Sequence, residues 1–131
     1  MATFKKFTEI DAWQKGRMLT SAVYELSNKP SFAKDYGLKD QIRRASVSIM
    51  ANIAEGFGRS GSAEFQQFLA IAKGSACEVL SHLYVSLDQR YVTQQEFEHA
   101  SQLAEETANL IGGLMKYIAQ SALRGAKYAR Q

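Results

Sequence analysis

A single proline, Pro30, is the only residue in the 131 that bars a helix by its own ring geometry. No Asn-Gly or Asp-Gly pair marks a hairpin, and β-branched residues nowhere alternate with polar ones over a strand length. Helix is therefore predicted nearly throughout. A first helix over about 8–29 starts at Thr8, an N-cap with Glu9 and Asp11 in the first turn, and stops before Pro30. Ser31 to Gly37 reads as a loop. A second helix covers about 38–57, with Gly56, Gly58 and Gly61 ending it through positive φ. The third, about 62–89, carries Phe65, Phe68, Leu69, Ala72, Ala76, Val79, Leu80, Leu83 and Leu87 at three- and four-residue spacing. Thr93 and Glu96 form a capping box that opens the fourth, about 94–123, with Phe97, Ala100, Leu103, Ala104, Leu110, Ile111, Leu114 and Ile118 facing inward. A basic tail, 124–131, is expected to fray.

Short connections between long helices force neighbours to run in opposite directions. The expected fold is all-α, a single-domain antiparallel up-down-up-down four-helix bundle over residues 1–131. With 46% hydrophobic and 22% charged residues, the chain can bury a core of its own. No apolar run reaches the roughly 18 residues that span a bilayer, and the start MATFKKFTEI has no secretory apolar stretch, so a cytoplasmic protein away from membranes is expected. One cysteine and two histidines exclude disulfide and structural-zinc scaffolds.

Charge is segregated: +4 over residues 1–44, −5 over 45–115 and +4 over 116–131. In the expected bundle, Lys5, Lys6, Arg59, Arg124, Lys127 and Arg130 gather at one end, partly offset by Glu9, Asp11, Glu55 and Glu64. A localised positive patch attracts phosphate even when the total charge is modest, which makes these the candidate nucleic-acid contacts. On the second helix Gln41, Arg44, Ser48, Asn52 and Glu55 fall within roughly 80° of arc. The apolar remainder covers roughly two thirds of the circumference, more than a one-sided surface helix carries. Burial of that excess against further copies predicts a homo-oligomer. Arg44 is then the expected partner of Glu55, across helices or subunits.

Other motifs read as structure. Gly56-Phe57-Gly58-Arg59-Ser60-Gly61 fits the dinucleotide pattern letter for letter, but a helix precedes it where that fingerprint needs a strand. Gly74, Gly112 and Gly113 are expected to permit close helix approach. Glu78, His82, Glu96 and His99 could form at most a lone metal site, since the second Glu-x-x-His of a di-iron bundle is missing. Cys77 has only Lys73 for a cationic neighbour and no histidine partner for nucleophilic work. Trp13 and the tyrosines are assigned to packing.

The runs GLKDQIRRASVSIMANIAEGFGR and EFQQFLAIAKGSACEVLSHL resemble the small bacterial four-helix-bundle proteins encoded in intervening sequences of 23S rRNA genes. The resemblance rests on Gln41, Arg43, Arg44, Ala45, Ser48, Ile49, Asn52, Ile53, Ala54, Glu55 and Gly56, then Phe65, Phe68, Leu69, Ala72, Gly74, Ser75, Glu78 and Leu83. Trp13-Gln14-Lys15 and Val23-Tyr24 extend it, so that it covers about residues 7–118. It implies a homopentameric ring. A related branch, the accessory variability proteins of diversity-generating retroelements, works with a reverse transcriptase and nucleic acid, although it is far more basic than this chain.

These readings combine into an expected non-enzymatic, oligomeric scaffold that binds RNA or a nucleic-acid-handling protein and uses no cofactor. The competing readings are a protein-binding adaptor acting through apolar grooves or the acidic fourth-helix surface around Glu98, Glu105 and Glu106, and a metal-dependent enzyme using Glu78, His82, Glu96 and His99.

Overall fold

The computed structural model describes residues 4–59 and 61–129, with side chains as far as Ser121. Every regular element among them is helical. A 3-10 turn at Phe7–Glu9 leads into α1 (Asp11–Ser27), followed by α2 (Pro30–Lys34), α3 (Tyr36–Gly58), α4 (Ser62–Asp88) and α5 (Gln94–Ala129). The four long helices expected are thus α1, α3, α4 and α5. The last runs on to Ala129, past the end expected near Leu123.

Local chemistry explains most of the boundaries and corrects two of them. Thr8 is not the cap of α1. It sits inside the 3-10 turn, where its carbonyl accepts from the Gln14 side chain, and the N-cap is Ile10, with extended backbone and no side-chain cap bond. The segment read as a loop after Pro30 forms α2, because proline's fixed φ suits the first turn of a helix as well as it forbids the interior. Asp35 then caps α3, its Oδ1 accepting from Leu38 N at 3.1 Å. The other carboxylate oxygen accepts from Tyr91 Oη at 2.9 Å, which ties the α2–α3 turn to the α4–α5 turn and raises the phenol's pKa. At the end of α4, Arg90 takes φ 62°, with Tyr91 N donating to Ser86 O, a left-handed close made without glycine.

The Thr93–Glu96 capping box is present in both directions: Glu96 N donates to Thr93 Oγ1 at 3.1 Å, and Thr93 N to Glu96 Oε1 at 2.8 Å. Glu96 also pairs with Lys29, so one carboxylate joins the start of α5 to the α1–α2 connection. The Lys29 ammonium, helped by the Thr93 amide, holds the Glu96 carboxyl below its ordinary value of 4.5. A pKa depressed in the folded state means stability that is complete above the ordinary value and is lost as pH falls through the folded one. Glu96→Gln is therefore expected to lower stability at neutral pH and to flatten the fall in melting temperature below pH 4.5. Parallel acid limbs for the two proteins would contradict this.

The long helices meet at particular pairs of residues. Gly16 meets Ile49 and Thr107, Thr20 donates to Ser46 O, and Arg43 reaches Ser27. Ser48 meets Ser75, whereas Gly56 meets Phe65 and Phe68. Gln66 donates to Met115 O, whereas Tyr84 packs edge-on against Phe97. Each long helix thus touches two others, α1 and α4 lying between α3 and α5. One cluster fills the centre, with Leu19, Val23, Phe32, Ile42, Ile49, Ile53, Leu69, Val79, Leu83 and Ile111 fully buried. The inward positions expected for the third and fourth helices are buried or half-buried, as read.

The apolar excess of α3 is mostly satisfied within the chain. Leu38, Ile42, Ala45, Ile49 and Ile53 are buried and Met50, Ala54 and Phe57 half-buried, because α1 covers one flank of α3 and α4 the other. Among the large residues of that arc only Val47 is exposed. The surface in excess lies instead on α4, the most apolar and least amphipathic of the four long helices. Its outward positions include Ala63, Ala70, Ile71, Gly74, Cys77, Tyr84 and Val85, all exposed.

Candidate functional site

The expected basic end is only partly assembled from free charge. The 3-10 turn packs on α3 and α1, which sets exposed Lys5 and Lys6 towards the same end as Arg59. Arg59 is not an isolated cation: its guanidinium lies 3.2 Å from Glu55 and 3.8 Å from Glu64, and 5.2 Å over the Phe68 ring. Arg124 and Lys127 belong to the last turns of α5, whose side chains lie outside the described residues, and Arg130 lies outside them altogether. Exposed pairs of this kind contribute little to stability, about 0–1 kcal/mol, so Arg59 can be drawn to a stronger anion at small cost.

The polar stripe on α3 exists but is wired differently from expectation. Arg44 does not reach Glu55. It pairs with Asp40 one turn back at 2.9 Å, and Glu55 pairs with Arg59 one turn on. Gln41 is exposed. Between them Asn52 donates to Ser48 O at 2.8 Å and to Ser48 Oγ at 2.9 Å, and the Ser48 hydroxyl meets Ser75 Oγ at 3.1 Å across the α3–α4 seam. These half-buried polar groups satisfy one another, which is what keeps a polar stripe tolerable beside an apolar core. The middle of the stripe, Ser48 and Asn52 with Ser75, is a helix–helix fastening.

The groups weighed for metal chemistry do not converge. Glu78 and His82 pair on the surface of α4 at 3.3 Å, Glu96 is spent on Lys29 and the capping box, and His99 borders an outer groove with Arg17, Met18 and Glu25. No group of three metal-capable side chains occurs among the described residues.

Two features escaped the sequence reading. One is the apolar outer side of α4. The other is Arg43, whose Nε donates to Ser27 Oγ at 2.7 Å and whose guanidinium lies 4.4 Å over the Tyr24 ring. Nineteen residues and two turns separate Tyr24 from Arg43, so no local pattern announces the pair.

The glycine readings also change. None of the described glycines has positive φ; α3 ends through extended Arg59. A Cβ on Gly56 would stand 2.7 Å from Phe68 Cβ and 3.0 Å from Phe65 Cδ1, so this glycine admits α4. Gly74 and Gly113 face open space, and Gly112 has only the end of Lys73 nearby, so close approach does not explain them. Gly16, against Ile49 at 3.2 Å, is the glycine that lets α1 near α3.

Among the described residues no helix is long and apolar enough to cross a membrane. No curated protein matches the sequence. A solved structure at 1.70 Å, of a protein of unknown function from the S23 ribosomal protein family of Bacteroides thetaiotaomicron VPI-5482, superposes with a TM-score of 0.74. It is 24% identical, covering 80% of this chain and 98% of its own, and at that identity it supports the fold alone. The family model for the 23S rRNA-intervening sequence protein matches residues 8–113, a span that holds α1 to α4 and the fastening between Ser48, Asn52 and Ser75. The chain belongs to the 23S rRNA-intervening sequence protein family.

Proposed function

We propose that this chain is a non-enzymatic cytoplasmic scaffold. In this reading it is one up-down-up-down antiparallel four-helix domain that assembles with copies of itself into a ring, of five subunits by family resemblance, and offers its basic ends to RNA. The observation that carries the reading is the outward side of α4, where Ile71 is 52%, Tyr84 54% and Val85 41% exposed beside Ala70, Gly74 and Cys77, with Lys73, Glu78 and Ser81 interspersed. Large apolar side chains exposed on the outer side of a helix call for cover, and small side chains beside them let a second backbone come close. A ring repeats Lys5, Lys6 and Arg59, with Arg124, Lys127 and Arg130 of the tail, so that modest patches act together on one polyanion.

Sedimentation tests the assembly. The protein is expected to run at a multiple of its 14.6 kDa subunit at micromolar concentration. Ile71→Glu, which puts a carboxylate into the contact, is expected to weaken association by at least about tenfold, or about 1.4 kcal/mol. A 14.6 kDa particle for the unaltered chain would remove the ring. RNA binding is expected to fall steeply with added salt, and affinity indifferent to salt would remove the phosphate contacts.

A further inference from the structure

Between α1 and α3 a groove of about 490 Å³ opens against Tyr24, Asp40, Arg43, Arg44, Val47 and Ser48. Arg43 is its fixed point. The guanidinium is stacked on Tyr24, its Nε is held by the hydroxyl of fully buried Ser27, and one Nη2 N–H leans on the Tyr24 carbonyl at 3.4 Å. Arginine carries more N–H donors than these contacts use. No carboxylate among the described residues stands within salt-bridge distance of Arg43, and the carboxylate in the groove, Asp40, is engaged by Arg44. A guanidinium immobilised on an aromatic face, with N–H groups to spare and a second guanidinium one residue away, is pre-organised for the oxygens of a phosphate.

We propose that this groove binds the phosphate ester of a nucleotide, free or within an RNA strand, with Arg43 and Arg44 on the phosphate and the exposed part of Tyr24 against the sugar or base. Asp40 acts as the internal competitor that the phosphate displaces from Arg44. The site is complete within one chain, so it stands independently of the ring and of the basic ends. An Arg43 that only fastened α1 to α3 would matter for stability and for nothing else.

The test uses the full chain at low salt with a fluorescently labelled single-stranded RNA, and with AMP and inorganic phosphate as competitors. Arg44→Ala is expected to weaken binding on the order of tenfold, and Arg43→Lys to do the same although the charge is kept, because a point charge replaces the fork. Asp40→Asn is expected to tighten binding severalfold. Asp40 and Arg44 are well exposed, at 62% and 79% of their side chains, so these two variants report even if Arg43→Lys does not fold. AMP binding read directly by calorimetry, without RNA binding, assigns the groove to free nucleotides; RNA binding that AMP does not displace assigns it to a strand. The proposal is overturned if none of the probes binds, or if Arg44→Ala and Asp40→Asn bind as the parent does. RNA binding lost in a Lys5→Ala, Lys6→Ala double variant but kept in Arg44→Ala also overturns it, and leaves the basic-end reading intact.

Discussion

Phe32→Ala is expected to cost about 3–5 kcal/mol, in the range found for emptying a fully buried phenylalanine site. Phe32 has no exposed surface, and its ring packs at 5.3 Å and 34° against Tyr91. It is also the only buried residue of α2. Five residues cannot hold a helix by hydrogen bonding alone, since nucleation costs more than so few bonds return. What keeps Pro30–Lys34 helical is this one side chain driven into the core. Truncating it opens a cavity and unfastens α2, which in turn loosens Asp35 as cap of α3 and as acceptor for Tyr91. On a domain of this size the melting temperature should drop on the order of 10–20 °C. Urea unfolding followed by far-ultraviolet circular dichroism measures it, at one fixed protein concentration because the proposed self-association would add to apparent stability. A loss under about 1 kcal/mol would mean that α2 is not docked, since surface substitutions are what cost so little.

Phe32 also shows where sequence reading stops. The four long helices are legible because their signals are local: apolar residues at three and four, one proline, and a capping box whose geometry closes within Thr93–Glu96. Pro30 was legible only as a stop. That the same residue begins α2 depends on Phe32 finding a pocket made by distant parts of the chain, and periodicity carries no such information. The pairings Asp40–Arg44 and Glu55–Arg59 were open to reading, since opposite charges four apart on a helix meet by geometry. These local pairs take the place of the longer-range Arg44–Glu55 pairing expected from the sequence. The exposed apolar surface lies on α4 and not on α3, where it is expected, for a related reason. A wheel shows how much of a helix is apolar but not how many neighbours it has: α3 has two that cover it, while among the described residues the outer side of α4 meets little beyond the edge of Phe97 against Tyr84. Arg43 with Tyr24 and Ser27 is wholly tertiary, and the family resemblance alone placed Arg43 and Tyr24 among residues to watch.

Adding the same methyl group at two glycines should move stability in opposite directions. In a helix interior alanine is favoured over glycine by about 1 kcal/mol, so Gly74→Ala, mid-helix on α4 with nothing within 4 Å of the new Cβ, is expected to stabilise the subunit by about that amount. Gly56→Ala, in the last turn of α3, carries at most that helical gain and would press its Cβ to 2.7 Å from Phe68 Cβ. A Cβ cannot turn aside as a side-chain tip can, so α3 and α4 must part, and overpacking of this kind costs about 1–3 kcal/mol or somewhat more. The expected net result is destabilisation of about 1–2 kcal/mol for alanine, and more for valine, whose branches meet Phe65 as well. Chemical denaturation of both variants decides it: equal signs would mean that α3 and α4 do not approach as closely as Gly56 implies. Gly74→Ala also bears on assembly, because it lies on the outward side of α4 where a second copy is proposed to pack. If another backbone comes against that glycine, the methyl that steadies the isolated helix must weaken the association, and a subunit gaining stability while its oligomer loosens would place the contact at Gly74. A gain in both would place it elsewhere on the face, nearer Tyr84 and Val85.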